Sequence, residues 1–136
     1  MTEIVQAVRD AYEKLSAGDP EPLLGLLDEK VEWHEAEHLS YWPGAALVGR
    51  EAVLESVLAP ITQDFDGFRV DVDRVCRSGD TVLVEGRYRA TARSTGRPLD
   101  AQVAHVWDFR DGRAVRWRQY TDTWQFDDVA GAAHAG

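Results

Sequence analysis

PLDAQVAHVWDFRDGRAVRWRQYTDTWQF, residues 98–126, is the stretch whose reading decides the fold. It reads as two long strands joined by one tight turn. Arg110-Asp111-Gly112-Arg113 supplies the reversal, because Asp-Gly between alternating apolar runs is a strong hairpin signal. By the two-residue strand period, Ala101, Val103, His105, Trp107 and Phe109 share one face. On the second strand, taken from Arg113 to Phe126, the residues Arg116, Arg118, Tyr120, Asp122, Trp124 and Phe126 share a face. A strand of that length needs a large, curved sheet to hold it. An imidazole, a phenol and a carboxylate on such apolar strands predict the wall of a pocket.

Working outward, turn signals divide the rest of the chain. Ile4, Val5, Val8, Ala11, Tyr12 and Leu15 recur at helical spacing and predict a first helix with one apolar stripe. Gly18 suits the left-handed position after that helix, Asp19 the next N-cap and Pro20 the first turn of a second, leucine-rich helix. Val31 to Ala36 reads as a first strand, and Leu39 to Val48 as a loop. Gly49-Arg50-Glu51 opens a third helix through Leu58, which Pro60 ends or kinks. Strands to Cys76 and from Thr81 to Thr91 precede the hairpin. The order is helix, helix, strand, helix, then four strands joined by short turns. That predicts an α+β fold with an antiparallel sheet covered on one face by helices. One domain is expected over residues 1–128, with a frayed tail over 129–136.

Composition narrows the function classes. The 136 residues suffice for one real core, and 44% hydrophobic with 29% charged content is that of a globular chain. Fifteen basic against 24 acidic residues gives a net charge of −9, which repels phosphate backbones, so no nucleic-acid partner is expected. Arg110, Arg113, Arg116 and Arg118 then read as partners for surplus carboxylates on a solvated sheet. The single cysteine, Cys76, excludes an internal disulfide and reads as a buried strand thiol. The N-terminus lacks a basic flank with an apolar run, and no stretch is long and apolar enough to span a bilayer. A cytoplasmic protein without membrane contact is the expectation.

The order of elements, Ala17-Gly18-Asp19, the run Val31-Glu-Trp-His-Glu35, Gly49-Arg-Glu-Ala-Val53 and the run from Gly112 to Asp122 together resemble the nuclear-transport-factor-like cone. Within it the chain is most similar to SnoaL-like polyketide cyclases and ketosteroid-isomerase-related proteins, over residues 3 to 126. The resemblance implies a strongly curved sheet around a deep apolar pocket, with three N-terminal helices packed over the concave face. It implies an apolar cyclic or polyketide-like ligand, no cofactor, and isomerase, cyclase or hydrolase chemistry. A non-catalytic binding module with the same pocket is the alternative, with epoxide-hydrolase-like or dehydratase-like activity and a protein-interaction module as further ones, because one cone hosts many functions.

Carried over residue by residue, the resemblance gives a mixed set. The isomerase base, an aspartate on the first strand, falls at His34, and the oxyanion-donating aspartate falls near His105. The first-helix tyrosine falls at Ala11, with Tyr12 about 100° round the helix. The last-strand carboxylate of limonene epoxide hydrolases and the late-strand aspartate of SnoaL-type cyclases both fall at Asp122. The hydrolases' Arg-x-Asp pair has only a reversed counterpart in Glu85-Gly86-Arg87. The expected catalytic set is therefore Asp122, His105, His34 and Tyr120. Trp33, Tyr88, Val103, Trp107, Arg118 and Trp124 are expected to bind substrate. For Asp122 a structural ion pair remains the competing reading, and for His105 a core histidine bonded to backbone. The family's paired outer sheet faces predict a homodimer, with Trp117 as its anchor on the face opposite Asp122.

His34-Glu35-Ala36-Glu37-His38 matches the H-E-x-x-H zinc pattern literally. That pattern grips one metal only on a helix, where residues four apart are neighbours. On a strand the two imidazoles stand roughly 13 Å apart. No metal is therefore expected, and Glu35 and Glu37 read as charged residues leading into a loop.

Overall fold

The computed structural model describes residues 3–131. Helix α1, Ile4–Ser16, buries Val8, Ala11 and Tyr12, the centre of its apolar stripe. Gly18, at φ 92°, turns the chain after it in the left-handed conformation that suits glycine. Helix α2, Glu21–Leu26, is short, and strand β1, Leu27–His34, begins at the very next residue. Strand β2, Leu47–Val48, lies where the sequence reads as loop, and pairs antiparallel with Trp33 and Glu32 of β1.

The third helix, residues 50–64, runs past Pro60. Its middle turn, Leu54–Leu58, is π-helical, between α-helical turns Arg50–Val53 and Ala59–Asp64. A proline removes one backbone donor and crowds the carbonyl four residues back. The wider π turn just before Pro60 absorbs that conflict, so the helix continues instead of ending.

Strands β3 (Phe65–Ser78), β4 (Thr81–Ala92), β5 (Pro98–Arg110) and β6 (Arg113–Thr121) follow in consecutive antiparallel pairs. Strand β1 then joins β6 in parallel, giving a six-stranded mixed sheet in the order β2-β1-β6-β5-β4-β3. The sheet is not purely antiparallel, because β1 enters from the helical end of the chain. The fold is α+β, an open curved sheet with the helices against its inner face, consistent with the cone. Gly86 lets β3 bend in closely: a Cβ there would lie 2.3 Å from the carbonyl oxygen of Asp71. The adjacent register shift between Val72 and Arg74 marks the same bend. Cys76 is exposed on β3, not buried, since that end of the strand lies in solvent.

The last element corrects the reading of residues 113–126 as one strand. Strand β6 stops at Thr121, and Thr123–Ala130 is a helix ending on Gly131 in the left-handed conformation. Asp122 is its N-cap, its carboxylate accepting from Gln125 N–H at 3.1 Å. The helix seats Phe126 and Val129 in the core, so residues 129 and 130 are helical; the rest of the expected tail, 132–136, lies outside the described residues.

Candidate functional site

The inner face of β5 carries Ala101, Val103, His105, Trp107 and Phe109, all buried. In an antiparallel pair, directly opposed residues share a face, and the turn at Asp111-Gly112 sets which residues oppose. Arg110 faces Arg113 and Phe109 faces Ala114, but Asp108 faces Arg116. Val115 is therefore one extra residue, a bulge, and every pairing beyond it is shifted by one. His105 consequently lies opposite Gln119, and Trp107 opposite Trp117. Gln119 and Trp117 turn inward, while Arg116, Arg118 and Tyr120 turn outward.

His105 sits at the centre of a hydrogen-bonded cluster. Its Nδ1 lies 2.6 Å from the hydroxyl of Tyr12, and its Nε2 lies 2.5 Å from the hydroxyl of Tyr88. Trp107 Nε1–H donates to the Tyr12 oxygen at 2.9 Å, and Gln119 Nε2–H donates to the Tyr88 oxygen at 2.6 Å. The Gln119 carbonyl accepts from Ala36 N–H at 3.1 Å, which fixes the orientation of the amide. Burial holds His105 neutral, its pKa lowered to about 3. Burial likewise raises both phenols above the ordinary tyrosine range, so they stay protonated.

Glu35, read from the sequence as a charged residue leading into a loop, does follow β1 but turns inward and is 4% exposed. One carboxylate oxygen accepts from Trp33 Nε1–H at 2.9 Å; the other, Oε1, is buried without a partner. Burial raises its pKa from 4.5 to about 7, against the opposing pull of the Trp33 bond. The signal for its placement lay in the strand period, since Val31, Trp33 and Glu35 alternate inward.

Glu35, Tyr12, Tyr88, His105 and Gln119 line one interior chamber of about 30 Å³, beside the stacked rings of Trp33 and Trp117. That is room for about one water. Beyond it lies a surface groove of about 640 Å³ between α1, the third helix and the start of β3, with Arg93 as the charged residue in its lining. Leu15, Leu58, Ile61 and Phe68 line both spaces, so they form the partition between groove and chamber.

Of the expected catalytic set, the structure brings only His105 into this chamber. Asp122 caps the C-terminal helix and, with Tyr120, lines a separate outer cleft of about 590 Å³. The Val115 bulge turns Tyr120 outward by reversing the faces of the β6 positions after it, and Asp122 lies past the end of that strand at Thr121. His34 ends β1 facing outward, cross-strand from Arg118, and its pKa is lowered by burial and by the Arg118 and Arg116 charges. Tyr12, not Ala11, is the first-helix residue aimed at His105. Among the expected binding residues, Trp33 and Tyr88 line the chamber and Trp107 stands behind it. Val103 is buried but borders the outer cleft, Arg118 lies on the outer face, and Trp124 is exposed on the C-terminal helix. Trp117 is 3% exposed and faces inward, so it is no surface anchor. His34 closes a strand and His38 follows in a turn at φ 70°, so the zinc pattern is not on a helix.

A curved sheet with this inward polar cluster and N-terminal helices defines a nuclear-transport-factor-like cone. The chain belongs to the SnoaL-like domain family, whose model matches residues 8–117. It is similar to an NTF2-like protein from Burkholderia thailandensis, at 28% identity and a TM-score of 0.88, over 98% of this chain and 100% of that one. It is also similar to TerC, co-crystallised with polyporic acid, at 25% identity and a TM-score of 0.83, over 95% and 98% of the two chains. A putative isomerase from Rhodopseudomonas palustris matches at 26% identity with a TM-score of 0.75, over 96% and 98%. No protein of curated function matches the chain.

Proposed function

We propose that this protein is a cofactor-independent enzyme that moves a proton on an apolar cyclic or polyketide-like small molecule. Glu35 carries the reading: a buried carboxyl with one oxygen unpaired and a pKa raised to about 7 is poised to take and return a proton near neutrality. The role expected of Asp122 passes to it, because Glu35 shares its chamber with the imidazole and both phenols. The apolar groove holds the body of the substrate, and the partition side chains move aside to let its reacting end reach Glu35. Relatives described as a putative isomerase and as a protein co-crystallised with polyporic acid support this class of ligand.

Exchange of α-protons for deuterium in a panel of cyclic and polyketide-like ketones tests the reading. The wild-type chain should accelerate exchange in at least one of them, and Glu35→Gln should slow it by roughly a hundredfold or more while ligand binding survives. Equal exchange with both proteins across the panel would leave the second reading, a binding module. The observation favouring that reading is the chamber itself, whose 30 Å³ admits no ring.

We also propose a homodimer through the outer sheet face. Val48 at 62% exposure, Tyr120 at 55% and Leu83 at 36% are large apolar side chains presented there, and Tyr120 replaces Trp117 as anchor. Sedimentation at micromolar concentration reads the assembly directly, and a monomer would remove the proposal.

A further inference from the structure

The chamber has two walls of opposite kind. Towards the groove the partition is apolar throughout: Leu15, Leu58, Ile61 and Phe68. On another side lies a surface cleft of about 390 Å³, and the linings of cleft and chamber share Glu35 and Gln119. The cleft is otherwise mostly polar. Arg118 and Tyr120 bring it to the outer sheet face, whereas Glu37 and Thr123 lie past the ends of β1 and β6.

The two shared residues are held differently. Gln119 is pinned at both ends of its amide, accepting from Ala36 N–H at 3.1 Å and donating to the Tyr88 hydroxyl at 2.6 Å. Glu35 has one anchor, the Trp33 indole on Oε2, while its Oε1 is buried and unpartnered. The last torsion of a glutamate is broad and roughly two-fold, so this carboxyl turns at little cost beyond that one bond. A proton travels between hydrogen-bonding groups or water, and four apolar side chains offer it no foothold. A carboxyl does, because its protonated form both donates and accepts.

We propose that the cleft beside Glu37 and Thr123 is the proton port of the chamber, where the Glu35 carboxyl exchanges protons with outside water while ligands use the apolar groove. In the step itself the Oε1–H bond breaks, a water in the cleft takes the proton as hydronium, and a carboxylate is left to accept the next one. The raised pKa of Glu35 agrees with this, because a group that holds its proton near neutrality also gives it up there. The use of the port in turnover rests on the role proposed above for Glu35, whereas the port itself does not.

The port is read on the ligand-free protein by NMR, as exchange of indole N–H protons with deuterated water. Trp33 lines the chamber and holds Glu35, so its indole reports water arriving there. The Trp107 indole, bonded to Tyr12 behind the chamber, is the reference. In the wild type Trp33 should exchange faster than Trp107, and equal protection would overturn the proposal. Thr123→Phe and Glu37→Phe each place a ring in the cleft and should slow Trp33 several-fold relative to Trp107. Thr62→Phe fills the groove instead and should leave that ratio at its wild-type value. Looser packing would speed both indoles and so cannot imitate the slowing. A ratio that falls with the groove variant, or holds with both cleft variants, would overturn the port.

Discussion

The two faces of one sheet handle polar groups in opposite ways. Outside, β3, β4 and β5 carry full charges in ion pairs open to water: Arg87 with Asp100 at 2.6 Å, Arg89 with Asp71 at 2.6 Å, and Arg74 with Glu85. Inside, the same strands carry His105, Tyr88 and, across β6, Gln119, all neutral and each bonded to a named partner. The difference follows from dielectric surroundings. An exposed pair stays solvated and contributes little to stability, whereas a buried group must be neutral or fully paired. Glu35 is the exception that marks the site, an acidic residue on the inner side whose carboxyl is driven towards its neutral form.

The strongest way to break this contrast is to swap the faces. Deleting Val115 would only regularise the ladder, leaving Trp107 opposite Trp117 and His105 opposite Gln119. Inserting one alanine between Arg116 and Trp117 instead shifts the rest of β6 by one residue, which would turn Arg118 and Tyr120 inward and Trp117 and Gln119 out. An unpartnered guanidinium in the core costs several kcal/mol, a large share of a domain's typical stability of about 5–15 kcal/mol. The insertion variant should melt far below wild type by circular dichroism, and a wild-type melting curve would mean that the register of β6 does not assign the faces.

A smaller effect sharpens the contrast through pH. Because the Glu35 pKa is raised from 4.5 to about 7 in the folded chain, the native state keeps a proton that the unfolded chain releases between those values. Stability therefore falls as pH rises through that window, by on the order of 3 kcal/mol, and the loss is complete above pH 7. His105 works the other way. Its pKa is lowered from 6.5 to about 3, so stability falls as pH drops through that range. Between about pH 4.5 and 6.5 the two slopes oppose each other. Glu35→Gln should raise the melting midpoint at pH 8 by several degrees and leave it unchanged near pH 4. Parallel curves for the two proteins from pH 4 to 8 would show that Glu35 is not a buried acid.

The least disturbance to the fold is expected on the outer face. Tyr120→Ser should leave the melting of the isolated chain close to wild type while shifting the sedimentation profile from dimer towards monomer. An unchanged dimer would move the proposed interface away from Tyr120.

Much of the architecture is legible in local pattern. The stripe of α1, the Gly18 break, the Asp111-Gly112 turn and the inward alternation from Ala101 to Phe109 depend on neighbours within a few residues, and each is present as read. The site is less legible. Tyr88, Trp33, His105 and Glu35 line the chamber, whereas Asp122 and Tyr120 line the outer cleft. The extrapolation along β6 assumed a regular ladder, and one inserted residue inverts such a reading for every position after it.

Local propensity, turn chemistry and apolar period thus determined the order of the main elements from α1 to β6, the class of fold and the inner face of β5, because those signals act over one or two turns of chain; the short β2 and the C-terminal helix escaped them. Only the tertiary structure decided which groups share the chamber. The Val115 bulge, the end of β6 at Asp122 and the meeting of Tyr12 with His105, 93 residues away in sequence, are set by packing between distant segments. No local pattern encodes that packing, because burial, which neutralises His105 and raises the Glu35 pKa, exists only once the sheet has closed over them.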